Sequence, residues 1–332
     1  MKREQRIPVG VIGVGMVGTP LARYFREVKG YARGRDLFLY DIDPAKGCGD
    51  DVRRAGVVFV CVPTPPARDG SADTSAVRHA FRMLAAPLPR RSVGALRADR
   101  RRGGGGKIVV IKSTVPPGTT EAFQREFPEH QVLFNPENLT ERFAWEDFLR
   151  PDTQIVGFTA KSIDAAHPVL SLLPKAPFMS PWGTDTYRRT AITATEAEII
   201  KYARNIHFAR KVNFANALAR LAETMGADYE NIRAGMAADH RIGDSHLDVT
   251  HGGYRGFGGY CFPKDLSAFI AAFDRAGLPE SAALLRSDWD FNKAILAEQG
   301  LTIEEVSSHD HVLERKLKEK LERKKLGKKG RK

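Results

Sequence analysis

The feature that most constrains this 332-residue chain is a glycine-spaced turn, Gly13-Val14-Gly15-Met16-Val17-Gly18, set between an apolar run and a helical stretch. In such a turn the first glycine lets the chain bend tightly. The second lets a pyrophosphate approach the backbone, and the third lets the helix pack close to the strand. The spacing alone is weak, because any tight turn can collect glycines. Here Pro8–Ile12 reads as a strand before it, a helix runs to about Val28, and Leu37–Asp41 reads as a second strand. Asp41 ends that strand 23 residues beyond Gly18, where a carboxylate accepts hydrogen bonds from ribose hydroxyls and repels a 2′-phosphate. The segment therefore reads as the βαβ unit of a dinucleotide site, with NAD favoured over NADP as cofactor.

Further apolar runs at Val57–Val62, Ile108–Ile111, Val132–Phe134 and Ile155–Phe158 have the length and continuity of strands buried on both faces. Their spacing predicts an α/β fold with a Rossmann-type, doubly wound parallel sheet. From about residue 190 the pattern turns helical. Ile199, Tyr202, Ala203, Ile206 and Ala209 recur at three- and four-residue steps, and Thr195–Met225 contains no Gly or Pro, which predicts one long helix. A Gly-rich segment, Gly252–Gly259, leads to Cys261-Phe262-Pro263-Lys264-Asp265, and helices are expected over 266–276 and 280–298. The organisation expected is an NAD-binding domain over 1–188, a helical central (dimerisation) domain carrying the cysteine loop over 189–298, and a charged tail over 299–332.

The net charge of +12 invites a nucleic-acid reading, but Leu313–Lys332 holds eleven Lys or Arg against three Glu, eight of the twelve net positive charges. A second basic stretch, Arg97–Lys107, contains Gly103–Gly106 and reads as a loop. The excess is local rather than a binding face. Within the tail, Leu313, Leu317 and Leu321 fit either an exposed, fraying helix, which is the reading preferred, or a nucleic-acid or membrane-surface anchor. No apolar run approaches the roughly 18 residues of a membrane span, and the charged start does not resemble a signal peptide, so a cytoplasmic location is expected. Three cysteines, Cys48, Cys61 and Cys261, lack the number and spacing of a disulfide framework or a zinc site, so no metal is expected.

Other segments offer chemistry with a bland alternative beside it. Cys261 has flexible glycines before it and Lys264 and Asp265 after it, which suits a reactive thiol, although a small buried hydrophobe is the commoner use of cysteine. Lys201 and Asn205 are four apart on the long helix and share a face, where an ammonium and an amide can converge on one oxygen; an exposed polar stripe is the alternative. Val62-Pro-Thr-Pro65, Lys112-Ser-Thr-Val-Pro-Pro-Gly118 and Asn135-Pro-Glu-Asn-Leu-Thr-Glu141 each follow a strand, where open α/β sheets bind ligands, yet each is also an ordinary turn.

Taken together and in this order, GxGxxG, VPTP, KSTVPPGT, NPExLxE, AExIKYxxN, DxRIG and GGxCFPKD resemble the UDP-glucose/GDP-mannose dehydrogenase family over residues 7 to 298. The resemblance implies oxidation of the 6-hydroxymethyl of a nucleotide-linked sugar to a carboxylate with two NAD in succession. It makes Cys261 the nucleophile that forms a thiohemiacetal and then a thioester. Lys201 and Asn205 become the pair that stabilises developing oxygen charge, and Asp265 the carboxylate that works with Lys201 and water. Thr114, Glu137 and Glu141 match groups holding substrate, cofactor and the hydrolytic water, with Glu141 a candidate base. Arg241 matches an arginine that reaches a neighbouring subunit, which implies a homodimer through the helix near 195–225. Asp41, Lys46, Thr64, Thr114 and Lys264 fall at NAD contacts with Gly13–Gly18, and the loop containing Gly258 would lie against the sugar.

The chain departs from the family pattern in four places. Lys46–Ala55 is short, His251–Arg255 looks inserted, and Thr140 and Asn138 stand where arginine and phenylalanine are usual. A third, nucleotide-clamping domain is expected to be absent, with only the charged tail beyond Glu298. An active nucleotide-sugar 6-dehydrogenase is the first reading, since a thiol, a lysine, an amide, an aspartate and paired glutamates are all retained. The alternative is a catalytically impaired NAD-binding or regulatory subunit pairing with a full-length paralogue.

Overall fold

A computed structural model of the chain describes residues 6–86, 106–140, 143–181, 191–307 and 317–322. These divide into two units, one drawn from Met1–Pro65 and Asp73–Lys201 and the other from Pro66–Ala72 and Tyr202–Lys332. The division falls after Lys201, inside the long helix, and it gives the short segment after Pro65 to the helical unit, whereas the sequence reading drew the boundary at 188/189.

The first unit is built on a six-stranded sheet. Strands β1 (Val9–Ile12), β2 (Leu37–Tyr40), β3 (Val57–Val60), β4 (Ile108–Ile111), β5 (Gln131–Phe134) and a two-residue β7 (Gly157–Phe158) lie in the order β2-β1-β3-β4-β5-β7. The first five are parallel, with Val9 opposite both Leu37 and Val57, and β7 is antiparallel to β5. Alternate residues of each strand serve opposite faces, which is why the sequence runs apolar without a break. Val58, Val60, Val109 and Ile111 pack with Val77, Phe81 and Leu84 of α2 (Ser75–Ala85) and Phe123 of α3 (Thr119–Glu126). On the other face Val9, Val11, Val57 and Phe59 pack with Leu21 and Phe25 of α1 (Gly18–Glu27), Phe148 of α4 (Ala144–Leu149), and Ala166 and Leu170 of α5 (Ile163–Leu172). Helices on both faces make the sheet doubly wound, and the strand order reverses at β1/β3, the position where such sheets open a crevice for ligands.

The run 155–158 is not one strand. β6 (Thr153–Ile155) pairs with β8 (Phe178–Ser180) in a separate two-stranded sheet, and β7 turns away after Val156. Gly157 permits this, because a Cβ there would lie 2.7 Å from Ala197 Cβ and 2.8 Å from the Thr193 carbonyl at the start of α6 (Ala194–Met225).

The second unit is helical. It contains the greater part of α6 with α7 (Tyr229–Ala237), α8 (Cys261–Arg275), α9 (Pro279–Glu298) and α10 (Ile303–Ser307). Small residues of α6, Ala215, Ala219 and Ala222, let Tyr229, Leu247 and Val249 pack closely. Ile206 and Ala209 pack with Phe257, Leu266 and Leu285. α8 starts at Cys261 rather than at 266, with Pro263 in its first turn, where a missing N–H leaves no helical bond unmade. The tail differs from the exposed helix expected. Residues 317–322 are helical, and Leu317 and Leu321 pack with Leu296, Leu301, Val306 and Tyr254, while Lys320 pairs with Glu305 at 2.9 Å. Leu313 and the basic stretch up to residue 105 lie outside the described residues. Among the described residues no helix is long and apolar enough to cross a membrane.

Candidate active site

The glycine turn leaves β1 at the strand-order reversal. Gly13 has φ +88°, and a Cβ on it would sit 2.6 Å from the Cys61 carbonyl oxygen at the end of β3, so the two strand exits nearly touch. A Cβ on Gly18 would collide with the Gly13 carbonyl oxygen at 1.9 Å, which is how α1 comes so close to β1. A Cβ on Gly15 meets nothing within 4 Å, so the middle of the turn opens onto free space. Asp41 reaches back to this turn. Its Oδ2 accepts from Val14 N–H at 2.7 Å and Lys46 Nζ at 2.9 Å, and its Oδ1 accepts from Asp43 N–H at 3.0 Å. Burial works to raise the Asp41 pKa, but these hydrogen bonds outweigh it and hold the carboxyl below the ordinary value. The tight first and third glycines, the open second one and an ionised Asp41 fit a dinucleotide. Val14, Met16 and Val17 complete the turn, with Met16 exposed.

Beyond β3 and β4 the strand exits are tied together. Thr64 donates to the Thr114 carbonyl at 2.7 Å, and Ser113 Oγ donates to the Val62 carbonyl at 2.6 Å. Beside them lies a charged group that sequence reasoning passed over. Lys112 is buried, donates to Asn135 Oδ1 at 2.6 Å and pairs with Glu137 Oε2 at 2.9 Å. Asn135 in turn donates to Gln154 Oε1 at 2.9 Å and to the Ile155 carbonyl at 2.6 Å. Glu137, expected to hold substrate, is thus oriented by a buried ammonium. The neighbouring Cys61 thiol is pushed up to about 12 by burial, against the opposing effect of Lys112, which disfavours its thiolate. Glu141 lies outside the described residues.

Glu198 of α6, also unassigned from sequence, is fully buried and caps α3: Oε2 accepts from Gly118 N–H at 2.6 Å, and Oε1 accepts from Thr120 N–H at 2.7 Å and Thr120 Oγ1 at 2.6 Å. Both Lys112 and Glu198 stand inside the segments KSTVPPGT and AExIKYxxN, so those segments held the signal.

In the helical unit Cys261 opens α8, and Asp265, one turn later, lies on the same helix face. Asp265 is buried; it accepts from Asn205 Nδ2 at 2.5 Å and makes a close ion pair with Lys264. That hydrogen bond joins the α6 face carrying Asn205 to the α8 face carrying Cys261. Lys201 lies one turn before Asn205 along α6 and is buried. Lys264, expected at the cofactor, spends its charge on Asp265. Arg241 is exposed and bound to Asp239, Nη2 to Oδ2 at 2.6 Å. Gly258 has no room for a side chain: a Cβ would lie 2.6 Å from the Val306 carbonyl oxygen. Chemically, the helical unit offers a thiol at a helix start, an amide and a paired carboxylate, and the sheet unit offers a dinucleotide turn. Among the described residues no group of three or more His, Cys, Asp or Glu could hold a metal ion.

Comparison with known proteins relates segments of both units to one family. Residues 47–170 match the NAD binding domain, and residues 195–294 the central domain, of the UDP-glucose/GDP-mannose dehydrogenase family. The chain is 37% identical to a UDP-glucose 6-dehydrogenase of Pseudomonas aeruginosa, with 80% of this chain and 61% of that protein covered. It is 32% identical to UDP-glucose 6-dehydrogenase AglM of Haloferax volcanii, over 80% of this chain and 65% of that protein. It therefore spans less than two thirds of the length of either relative. The structure resembles that of a UDP-glucose dehydrogenase from Pyrobaculum islandicum, with TM-score 0.70 and 28% identity over 90% of this chain and 71% of that one.

Proposed function

The chain belongs to the UDP-glucose/GDP-mannose dehydrogenase family and carries its NAD-binding domain, and from that premise we propose that it oxidises the C6 alcohol of a nucleotide sugar, UDP-glucose or a close analogue, to the uronic acid. The observation that carries the proposal is the 2.5 Å bond from Asn205 to Asp265, which sets an amide donor and a carboxylate on the face of α8 that begins with Cys261.

Each residue then has a task. Lys201 and Asn205 stabilise negative charge developing on the substrate oxygen, as preorganised donors do when they are buried and already oriented. Asp265 holds Asn205 and accepts or returns protons through water. The Cys261 thiolate adds to the carbon of the intermediate aldehyde, giving a thiohemiacetal; loss of its hydride leaves a thioester, and water releases the carboxylate and restores the thiol. Glu141 is the base assigned to that water, and Thr114 and Glu137 orient substrate. Gly13–Gly18 and Asp41 would hold NAD, which would supply the hydride acceptor for each oxidation. Asp41 retains a lone pair for a ribose hydroxyl, and its bond to Lys46 is exchangeable. In balance, one alcohol, two NAD and one water give one carboxylate, two NADH and three protons.

We assign a homodimer to the same reading. Phe214, Leu221 and Met225 of α6 are 57, 55 and 74% exposed and recur at seven- and four-residue steps, an apolar stripe suited to a second copy of the helix. Arg241, exposed on the same unit, supplies the charge such a partner would receive. A screen of nucleotide sugars for NADH release tests the function. One of them is oxidised under this reading; NAD binding with no oxidation of any nucleotide sugar contradicts it.

A further inference from the structure

The segment that delivers Cys261 to α8 is gripped by a side chain of α9 and by that of Gln299, the residue that caps its C-terminus. Asn292 is fully buried, and its carboxamide meets both halves of one residue's backbone: Oδ1 accepts from Phe257 N–H at 2.7 Å and Nδ2 donates to the Phe257 carbonyl at 3.0 Å. Two helical turns further on, Gln299 repeats the arrangement on Arg255. Its Oε1 accepts from Arg255 N–H at 2.8 Å and its Nε2 donates to the Arg255 carbonyl at 2.9 Å, with a further bond to the Ile295 carbonyl at 2.8 Å. A carboxamide carries an acceptor and a donor side by side in this way whatever the pH; an ionised carboxylate or an aliphatic chain cannot satisfy both peptide groups.

Between the two gripped residues, Gly256 has φ +92°, and a Cβ on it would stand 2.7 Å from Asn292 Oδ1. Position 256 is therefore closed to any side chain by its backbone and by its neighbour together. The other sides of the segment are held as well. The Arg255 guanidinium makes a two-pronged ion pair with Glu223 of α6, and Gly259 N–H donates to the Val306 carbonyl at 2.8 Å. Cys261 follows two residues later, as the first residue of α8.

We propose that Asn292 and Gln299 are positioning residues for Cys261: their carboxamides hold the backbone of Arg255 and Phe257 so that the thiol meets its substrate carbon in a fixed geometry. The proposal rests on the reading of Cys261 as the nucleophile. It adds that the nucleophile's placement is set from α9 and its C-terminal cap, through carboxamides that bond to backbone groups. Covalent addition is sensitive to such placement, since an error of about 1 Å in the attacking atom costs on the order of a hundredfold in rate.

The test uses Asn292→Leu and Gln299→Met, which keep approximate size and remove both the acceptor and the donor. Residue 299 is only half-buried, so Gln299→Met carries the test if Asn292→Leu does not fold. Three quantities are compared with the unsubstituted protein: oxidation of the nucleotide-sugar alcohol, oxidation of the corresponding aldehyde, and iodoacetamide labelling of Cys261 read by mass spectrometry. Aldehyde oxidation is expected to fall about tenfold or more, with alcohol oxidation and NAD affinity within about twofold and Cys261 labelling raised severalfold as the loop loosens. An equal fall in both oxidations, or no change in either, overturns the proposal. If the unsubstituted protein oxidises no nucleotide sugar, the assignment of Cys261 fails on its own account. The labelling rate still decides whether the carboxamides hold the thiol, and unchanged labelling in both variants overturns it.

Discussion

Replacing Glu198 by glutamine should remove a specific pH dependence from the stability of the sheet unit. The carboxylate is fully buried on α6 and is faced by three donors, Gly118 N–H, Thr120 N–H and Thr120 Oγ1. Burial raises its pKa, the hydrogen bonds from Thr120 and Gly118 lower it, and Glu121 nearby raises it again, leaving it at about 7 against an ordinary 4.5. Folding thus raises the pKa of an acid. The stability this group contributes is complete below about pH 4.5, is lost progressively as pH rises through about 7, and is level above that. Between about pH 5 and pH 8 the loss is about 3 kcal/mol, from roughly 1.4 kcal/mol for each of the about two units of separation between the two pKa values that the interval spans. Glu198→Gln is neutral throughout. Relative to its position near pH 5, it gains on the unsubstituted protein by about 3 kcal/mol at pH 8, roughly 6 to 12 °C in melting temperature for a unit of this size. Thermal melts of both proteins at a series of pH values read the difference. Parallel curves from pH 5 to pH 8 would show that the three hydrogen bonds overcome burial, and the reasoning would be wrong.

Other expectations follow from the same contacts. Gly18→Ala drives a methyl group to 1.9 Å from the Gly13 carbonyl oxygen and should unfold the turn, whereas Gly15→Ala meets nothing and should leave the melting temperature unchanged while weakening NAD about tenfold in a fluorescence titration. Lys112→Met strands the carboxylate of Glu137 in a buried setting, a loss of about 3 to 5 kcal/mol by calorimetry; adding Glu137→Gln should restore part of it. Asp41→Asn keeps the bonds from Val14 and Asp43 but drops the charge, so the ratio of NAD to NADP affinity should fall by an order of magnitude or so; an unchanged ratio would detach Asp41 from the ribose.

The elements that sequence displayed most openly are those whose residues face one environment over their whole length. β1, β3 and β4 are buried on both sides and therefore uniformly apolar, and α6 lacks a breaker from Ala194 to Met225. Asp41 was legible because its distance from the glycine turn reflects one strand–helix–strand unit. The break at Val156 was not, because its cause is the approach of α6 to Gly157, made by residues some forty positions away. The start of α8 at Cys261 was hidden by Pro263, a residue that opens helices as readily as it ends them. Lys112 and Glu198 looked like ordinary polar residues within longer motifs. Their burial depends on partners 25 and 78 residues distant, and no local periodicity encodes such a pairing. The grip of Asn292 on Phe257, 35 residues away, is of the same kind. Sequence supplied the residue types for the proposed thiol chemistry through family resemblance, and the fold supplies the bond from Asn205 to Asp265 that joins two of them.

The central claim is that one NAD site and one thiol carry a sugar alcohol through two oxidations. The stoichiometry of NADH formed per nucleotide sugar consumed, measured anaerobically with NAD in excess, tests it most directly. Two NADH per sugar, with the uronic acid as product and no complete turnover by Cys261→Ser, is the result the account requires. One NADH per sugar with an aldehyde as final product, or full two-step turnover by Cys261→Ser, would contradict it.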